Sequence, residues 1–425
     1  MTARAGKGLS SRGRSNVDAI MPKIKGAIEE RKAKKSSKID LSTAENWLIR
    51  SELIDACKAA INQALTSQNF SYPRGFSGDP DLLDALANFF NDYFRPFRPV
   101  LPDHLMAAPG ASTCIDSLLY NICDAGDGVL MPGPYWNGFD FGMRVRSSVT
   151  PVLVPLPSFH SNFNSDELLK ALQIAMENAT CPVKALMITN PHNPLALCYA
   201  RSVIEDCLRF CREKNLHFIS DEVYALSTFK NPDIRDPVPF SSVLSLDLEK
   251  VGADPSRVHM VWSLSKDFGQ SGFRVGCAVT QANEELAIGL ALAAMNQVSS
   301  LSAIFATTLL TSPGLPDLVR INSERLSLSY EILTGFFKKQ HIVYIPCNAG
   351  LYVFAKLAAN AKTYEDEASM AWSLKDAGVL VSPGQAYHGP DGEFGWMRVG
   401  FAVEVADLKE AIERMERVVE LSNEP

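Results

Sequence analysis

The segment Trp262-Ser263-Leu264-Ser265-Lys266-Asp267-Phe268-Gly269-Gln270-Ser271-Gly272-Phe273-Arg274-Val275-Gly276 constrains this chain more than any other. An apolar run, Val258 to Trp262, leads into it and predicts a short buried strand. The run then breaks into Ser263, Ser265 and Lys266. A lysine at the end of a buried strand is poorly hydrated, and desolvation lowers the pKa of its ammonium. Lysines with a depressed pKa are the ones that form Schiff bases. Further on, Arg274 opens a second apolar run, Val275 to Val279. A fixed cation and two hydroxyls beside such an amine suit an anionic aldehyde. The same residues would also fit a surface turn carrying one lysine and one arginine, so the rest of the chain has to discriminate.

Other apolar runs end in polar clusters. Val183 to Thr189 is followed by Asn190-Pro191-His192-Asn193-Pro194, and Leu216 to Ser220 by Asp221-Glu222-Val223-Tyr224. In open parallel sheets, ligands bind beyond the carboxyl ends of the strands, which is where Asn193, Asp221, Tyr224 and Lys266 fall. A carboxylate just past a buried strand, such as Asp221, requires a cationic partner. Pro109-Gly110-Ala111-Ser112 opens a helix through about Cys123, and small residues there let backbone N–H groups approach an anion. Asp127 to Trp136 reads as a strand ending in an aromatic pair, and an indole can stack on a flat ring. Arg398 lies inside the apolar stretch Gly395 to Phe401. A buried guanidinium is costly unless paired, and a carboxylate is the bidentate partner that suits it. His192 is tempting as a general base, but its place between two asparagines reads as a loop residue.

Together these segments resemble the Schiff-base lysine motif and its surroundings in fold-type I enzymes dependent on pyridoxal 5′-phosphate (PLP). The S-L-S-K-x-x-G-x-x-G-F-R-V-G form is similar to the 1-aminocyclopropane-1-carboxylate (ACC) synthase branch of the class I and II aminotransferases. The resemblance covers roughly residues 39–420 and implies an α/β fold. It comprises a large domain with a central, mostly parallel seven-stranded sheet, and a smaller α+β domain. It implies that Lys266 holds PLP and then acts as general base, that Asp221 keeps the pyridine nitrogen protonated, and that Asn193 and Tyr224 hydrogen-bond the ring oxygen. It further implies that Trp136 stacks on the ring, that Ala111, Ser112, Ser263, Ser265 and Arg274 hold the phosphate, joined by Tyr72 from the neighbouring subunit of a homodimer, that Arg398 grips the α-carboxylate of an amino-acid substrate, and that Glu45, in the Ala44-Glu45-Asn46 segment, faces the substrate pocket with Tyr72.

Some residues depart from plant ACC synthases: Ser71, the loop Pro73 to Gly78, and Trp136 in place of a tyrosine. They move the resemblance towards ACC-synthase-like proteins of fungal secondary metabolism, among them aminotransferases and C–S lyases. The expected activity is chemistry on an amino acid through an α-carbanion, as C–S bond cleavage by α,β-elimination or as transamination. ACC synthesis from S-adenosylmethionine is the alternative. A non-catalytic PLP-binding protein is the contrasting class, and it would not need Lys266, Asp221 and Arg398 all intact.

Composition sets the outer bounds. The 425 residues suffice for two domains, expected as 60–310 (large) and 39–59 with 311–425 (small). The net charge of −7 argues against a nucleic-acid partner. Yet residues 1–38 hold eleven Lys/Arg against three Asp/Glu. This basic tail can be an interaction arm, a solvated end or an organelle-targeting signal. No apolar run of about 18 residues and no N-terminal apolar h-region occur, so a cytoplasmic protein without a membrane span is expected. Nine scattered cysteines lack zinc-ligand spacing and read as core thiols, with no metal expected; Cys207 and Cys211 share a helix face. Residues 1–16 read as flexible, and Ser15 to Asp18 as a capping box for a helix towards Lys35. Further helices are expected over about Ser51–Gln68, 283–312 (one or two) and Asp317–Lys339. Short strands are expected at Val343–Ile345, Leu351–Phe354 and Val379–Ser382.

Overall fold

The computed structural model describes residues 8–32, 38–294 and 298–423. Its centre is a sheet of seven strands: β1 (Leu105–Ala108), β2 (Gly128–Pro132), β3 (Thr150–Val154), β4 (Val183–Thr189), β5 (His217–Asp221), β6 (Val258–Ser263) and β7 (Gly276–Val279). They lie in the order β1-β7-β6-β5-β4-β2-β3, all parallel except β7, which runs against both its neighbours. Strands β1, β2 and β6 are buried along their whole length. This is why they read in sequence as apolar runs without alternation: helices cover both faces of a parallel sheet. From β2 the chain passes to β3 on one side and then to β4 on the other. The order therefore reverses between β2 and β4, and the crevice beyond the carboxyl ends of those strands is where such sheets bind ligands.

A second sheet is smaller and antiparallel: β8 (Tyr344–Ile345), β9 (Tyr352–Ala355), β10 (Ser382–Pro383) and β11 (Met397–Gly400), in the order β10-β11-β9-β8. Arg398 is in register with Phe354 on one side and Ser382 on the other, so it sits in the middle of this sheet. Residues 39–49 form a strap along it. Ile39–Asp40 pairs parallel with Val379–Leu380, the Gly400 N–H donates to the Leu41 carbonyl (2.7 Å), and the Trp47 N–H to the Ala402 carbonyl (2.8 Å). The strap bends where Asp40 Oδ1 accepts from the Ser42 and Thr43 N–H groups, a side-chain-closed turn. Leu41, Ala44 and Leu48 pack into the core of the smaller sheet, whereas Ile49 and Leu53, at the start of the helix Arg50–Ala64, pack into that of the larger one.

The helix Leu315–Lys339 also crosses between the two cores. Its Leu315 and Leu318 belong to the larger and its Leu326, Tyr330 and Leu333 to the smaller. The stretch expected to hold one or two helices holds two among its described residues, Glu284–Ala294 and Ser300–Leu310.

The first helix differs from expectation. It runs Ser11–Lys32, and the Ser10 hydroxyl, not that of Ser15, accepts the Gly13 N–H at its start. Ser15 lies a turn inside, where its hydroxyl accepts from Arg144 instead. A capping pattern is local and recurs by chance, and here a serine further upstream takes the role. Residues 11–16, read as flexible, are helical; 1–7 and 33–37, also in the tail, lie outside the described residues. All nine cysteines are free thiols, and Cys207 and Cys211 are buried in the large core. Among the described residues no helix is long and apolar enough to cross a membrane.

Candidate active site

Strand ends from the large sheet, the strap and the small sheet converge on one cleft of about 470 Å³. Its lining contains Glu45, Ala111, Ser112, Trp136, Asn193, Asp221, Tyr224, Ser263, Ser265, Lys266, Arg274 and Arg398. Of the residues assigned to the site from the sequence, Tyr72 alone does not line it. Tyr72 is 96% exposed, on a loop that also exposes Phe70 and Phe76. His192, read as a loop residue, is buried outside the cleft, its Nδ1 accepting the Leu195 N–H (3.3 Å) and its ring against Phe163 and Tyr199. Burial lowers its pKa to about 3.

Lys266 sits in a short helical turn, Leu264–Asp267, directly after β6, where Ser263 Oγ accepts the Ser265 N–H. Its ammonium donates to the Ala44 carbonyl of the strap (2.6 Å). Burial and then the Arg398 guanidinium lower its pKa to about 8, against the opposing pull of Glu45 and Asp221. At mildly alkaline pH a substantial fraction of this amine is therefore uncharged and nucleophilic, far more than of an ordinary lysine.

Asp221 ends β5 beside Thr189, its register partner at the end of β4. Burial raises its pKa to about 7, although the Val223 N–H and the Thr189 hydroxyl act the other way. Oδ1 is buried with no hydrogen-bond partner. A buried, unpartnered carboxylate oxygen facing a cleft lacks a donor. The protonated nitrogen of a pyridine ring is such a donor, and it would draw the proton balance of Asp221 back towards the carboxylate.

Another part of the cleft fits a phosphate. The helix Ala111–Ile122 has no side-chain cap, so its first N–H groups at Ala111 and Ser112 are left to a ligand. Gly110 precedes it at φ 86°, and Arg274, itself left-handed at φ 56°, donates to the carbonyls of Pro109 and Ser271 (both 2.9 Å). A Cβ on Gly110 would lie 2.3 Å from the Arg274 guanidinium, and one on Gly276 2.4 Å from the Gly110 carbonyl carbon. Only glycine at both positions lets cation and helix end meet.

Arg398 is almost fully buried. It donates to Asn193 Oδ1 (3.0 Å) and to the Ser42 carbonyl (2.6 Å), with its guanidinium 4.7 Å and 5.3 Å from the ring centres of Tyr352 and Tyr387. It has no ion pair with a carboxylate among the described residues, Asp40 acting on it only electrostatically, so its charge is open to an anionic ligand in the cleft. Glu45 pairs with Arg50 (3.1 Å), whose guanidinium lies over the Trp47 ring.

Sequence reasoning missed Ser42, Thr43, Asn137, Thr189, Ser271, Ser382 and Tyr387, which also line the cleft. Thr189 was within reach, since it ends the strand beside Asp221. Tyr387 follows the strand-ending Pro383-Gly384, a break like those that flagged the other site residues. The contribution of Ser42, a backbone carbonyl on Arg398, has no side-chain signature at all.

Residues 36–415 match the family model for class I and II aminotransferases. The chain is 52% identical to the probable aminotransferase aclI of Aspergillus oryzae, over 98% of this chain and 99% of that one. It is 37% identical to the trimodular acetylaranotin synthesis protein ataIMG of Aspergillus terreus, over 90% of this chain and 39% of that one. Among solved structures, a mutant aspartate aminotransferase of Thermus thermophilus superposes with a TM-score of 0.76 over 97% of this chain and 100% of that one; at 22% identity the likeness is one of fold. The chain belongs to the class I and II aminotransferase family, whose members depend on PLP, and its cleft carries a residue set that fits that cofactor.

Proposed function

We propose that this enzyme cleaves a C–S bond of a sulfur-containing amino acid by α,β-elimination, in a secondary-metabolite pathway. In this reading Lys266 would hold PLP covalently, with Asp221 at its ring nitrogen, Asn193 and Tyr224 at its ring oxygen, and Trp136 against its face. Ala111, Ser112, Ser263, Ser265 and Arg274 would hold its phosphate. Bound PLP supplies an electron sink for charge developing at the substrate's α-carbon.

The protein's own residues do the remainder. Arg398 binds the α-carboxylate and fixes the orientation of the α-carbon, with Tyr352 and Tyr387 holding the guanidinium in place. The uncharged amine of Lys266 takes the α-proton at Nζ, which its pKa of about 8 permits near neutrality. Departure of the β-thiolate and hydrolysis then convert a cysteine S-conjugate and one water into thiol, ammonium and pyruvate.

The observation that carries the choice of reaction is the charge inventory of the cleft. Its cations from this chain are Lys266, Arg274 and Arg398. With these assigned to cofactor, phosphate and α-carboxylate, no fixed cation among the described lining residues remains for a second carboxylate, since Arg50 at the rim is already matched by Glu45. That disfavours dicarboxylic acceptors such as 2-oxoglutarate, on which transamination commonly relies, and suits a neutral thioether side chain. The name of the Aspergillus oryzae relative, a probable aminotransferase, supports transamination as the second reading.

The same reading takes the enzyme as a homodimer in which Tyr72 completes the partner's site, with an exposed ring that has nothing to do on its own chain. It also takes two domains meeting at the cleft, expected as 60–310 and as 39–59 with 311–425, but with Ile49 to Ala60 and Leu315 to Leu318 on the large side, where they pack.

The test is purified protein with PLP and a panel of cysteine S-conjugates, other amino acids and S-adenosylmethionine. Thiol, ammonia and keto acid released in equal amounts without an added acceptor are expected. Turnover only with a keto-acid acceptor would establish the aminotransferase, and ACC from S-adenosylmethionine the synthase.

A further inference from the structure

Two stretches of chain cross between the large and the small core near the cleft, the strap at 46–49 and the long helix at 318–326. Each carries a fully buried asparagine at the crossing, Asn46 at 0% and Asn322 at 2% exposure. The Asn46 amide donates to Asn322 Oδ1 (2.7 Å). Both amides also point at one acceptor, the backbone carbonyl of Asp267, at 3.4 Å each. Asp267 is the residue after Lys266. Its carboxylate is held from the other side by Trp262 Nε1 (2.8 Å) and the Ser227 hydroxyl (2.7 Å). Asn46 Oδ1 accepts the Leu48 N–H (3.1 Å), so the amide orientation is fixed by what its oxygen must accept. One turn along the helix, Arg325 donates to the Leu48 carbonyl and to Glu52. The fit is close: a Cβ on Gly269 would lie 2.2 Å from the Asn46 carbonyl oxygen.

We propose that Asn46 and Asn322 form a latch that positions Lys266, by clamping the strap and the long helix onto the lysine-bearing turn. Neither asparagine lines the cleft, so both act through others. The strap segment they clamp supplies the Ala44 carbonyl that accepts from Lys266, the Ser42 carbonyl that accepts from Arg398, and Glu45. A fixed strap keeps water from the lysine amine and holds the amine and the Arg398 guanidinium at a set separation. A loose strap would hydrate the amine. Buried amides with mutually dependent hydrogen bonds lose much when one member is removed, because the others are left unpaired.

The inference rests on Lys266 being the lysine that holds the cofactor. Borohydride reduction of the PLP-loaded wild type, followed by peptide mapping, checks that separately. The latch itself is read in the full-length chain freed of PLP. The rate at which trinitrobenzenesulfonate labels Lys266, quantified by peptide mass spectrometry, is followed from pH 6 to 11. The plateau rate reports access and the midpoint reports proton affinity. The charged groups around the amine, namely Arg398, Glu45, Asp221 and Arg274, are unchanged in every variant used.

Asn322→Ala and Asn46→Ala should each raise the plateau about tenfold and move the midpoint upward, towards that of an ordinary lysine. The double variant should show little more than either single one, since all act through one junction. In PLP-loaded protein the pH midpoint of the cofactor's visible absorbance should shift in both variants as well. Asn322→Ala places a good helix former within a helix, so it carries the test if Asn46→Ala does not fold. Wild-type plateau and midpoint in Asn322→Ala, with only a lowered melting temperature, would reduce the pair to packing and overturn the proposal. Fully additive effects in the double variant would overturn it too.

Discussion

The floor and the rim of the cleft are built differently. On the floor, Asp221, Ser263 and Ser265 are buried at the ends of parallel strands, and every approach to them is fixed by the register of the sheet. At the rim, Glu45 is about one-third exposed in an ion pair with Arg50, and the loop bearing Tyr72 projects Phe70, Tyr72 and Phe76 into solvent. The floor can be exact because strand ends cannot move without breaking the sheet. The rim is carried on loops, which tolerate change. Chemistry shared by a whole family belongs on the first kind of element, and the choice of substrate and of reaction on the second.

The contrast can be broken at the floor first. Lys266→Ala should lower turnover by about 10⁴-fold or more, because in the proposed function it removes both the covalent anchor and the base. Residual activity within tenfold of wild type, measured on the best substrate of the panel, would place the chemistry on another group. Asp221→Asn should come next, with a loss of about 10²-fold or more in turnover and weaker retention of PLP.

The same Asp221→Asn variant makes a pH prediction on the cofactor-free chain. The folded-state pKa of Asp221 lies at about 7, above the ordinary 3.8. Below pH 3.8 the side chain is protonated folded or unfolded and costs nothing. As pH rises towards 7 only the unfolded state ionises, so stability falls through that window and stays lowered above it. The asparagine variant should therefore melt higher than wild type at pH 8, by on the order of a few kcal/mol in stability, with the difference gone near pH 4. Equal melting curves at pH 8 would mean that the carboxylate already has a partner.

At the rim the effects should be of another kind. Tyr72→Ala and Lys266→Ala are each expected to be inactive alone. When mixed under subunit exchange, they should recover about a quarter of wild-type activity, since half the dimers are mixed and each has one complete site. No recovery, with exchange demonstrated, would remove Tyr72 from the partner's cleft. Glu45→Gln should change turnover by about tenfold or less. Its effect should fall on the ratio of thiol release to acceptor-dependent turnover. An unchanged ratio would show that the rim carboxylate has no say in the reaction.

Much of the floor could be read in the chain because each of its residues follows an apolar run. Strand plus polar break marks Asn193, Asp221 and Lys266 without any knowledge of the fold, and the apolar setting of Arg398 marks a guanidinium that needs an anion. Five of the seven strands, β2 and β4 to β7, were legible for the same reason; β1 and β3 were not marked, and the seven-stranded sheet itself came from the family resemblance. The helix at Ser11–Lys32 shows the weakness of a local rule, since Ser10 caps it and the better-looking Ser15 pattern does not. Thr189 and Tyr387 stand at the same kind of strand end or break and were within reach, whereas the Ser42 carbonyl on Arg398 was not.

The sequence by itself determined the residue types that do the chemistry and the strand ends that carry them. Burial of an apolar run and the cost of an unpaired charge are properties of a few adjacent residues. Only the tertiary structure decided what those residues meet. The Lys266 ammonium donates to the Ala44 carbonyl, 222 positions away; Arg398 to that of Ser42, 356 away; and two asparagines 276 positions apart share the carbonyl of Asp267. Every residue has a backbone carbonyl, so nothing in the chain distinguishes the ones that will be used. Convergence of that kind is fixed by how two cores pack against each other, and it exists only once they do.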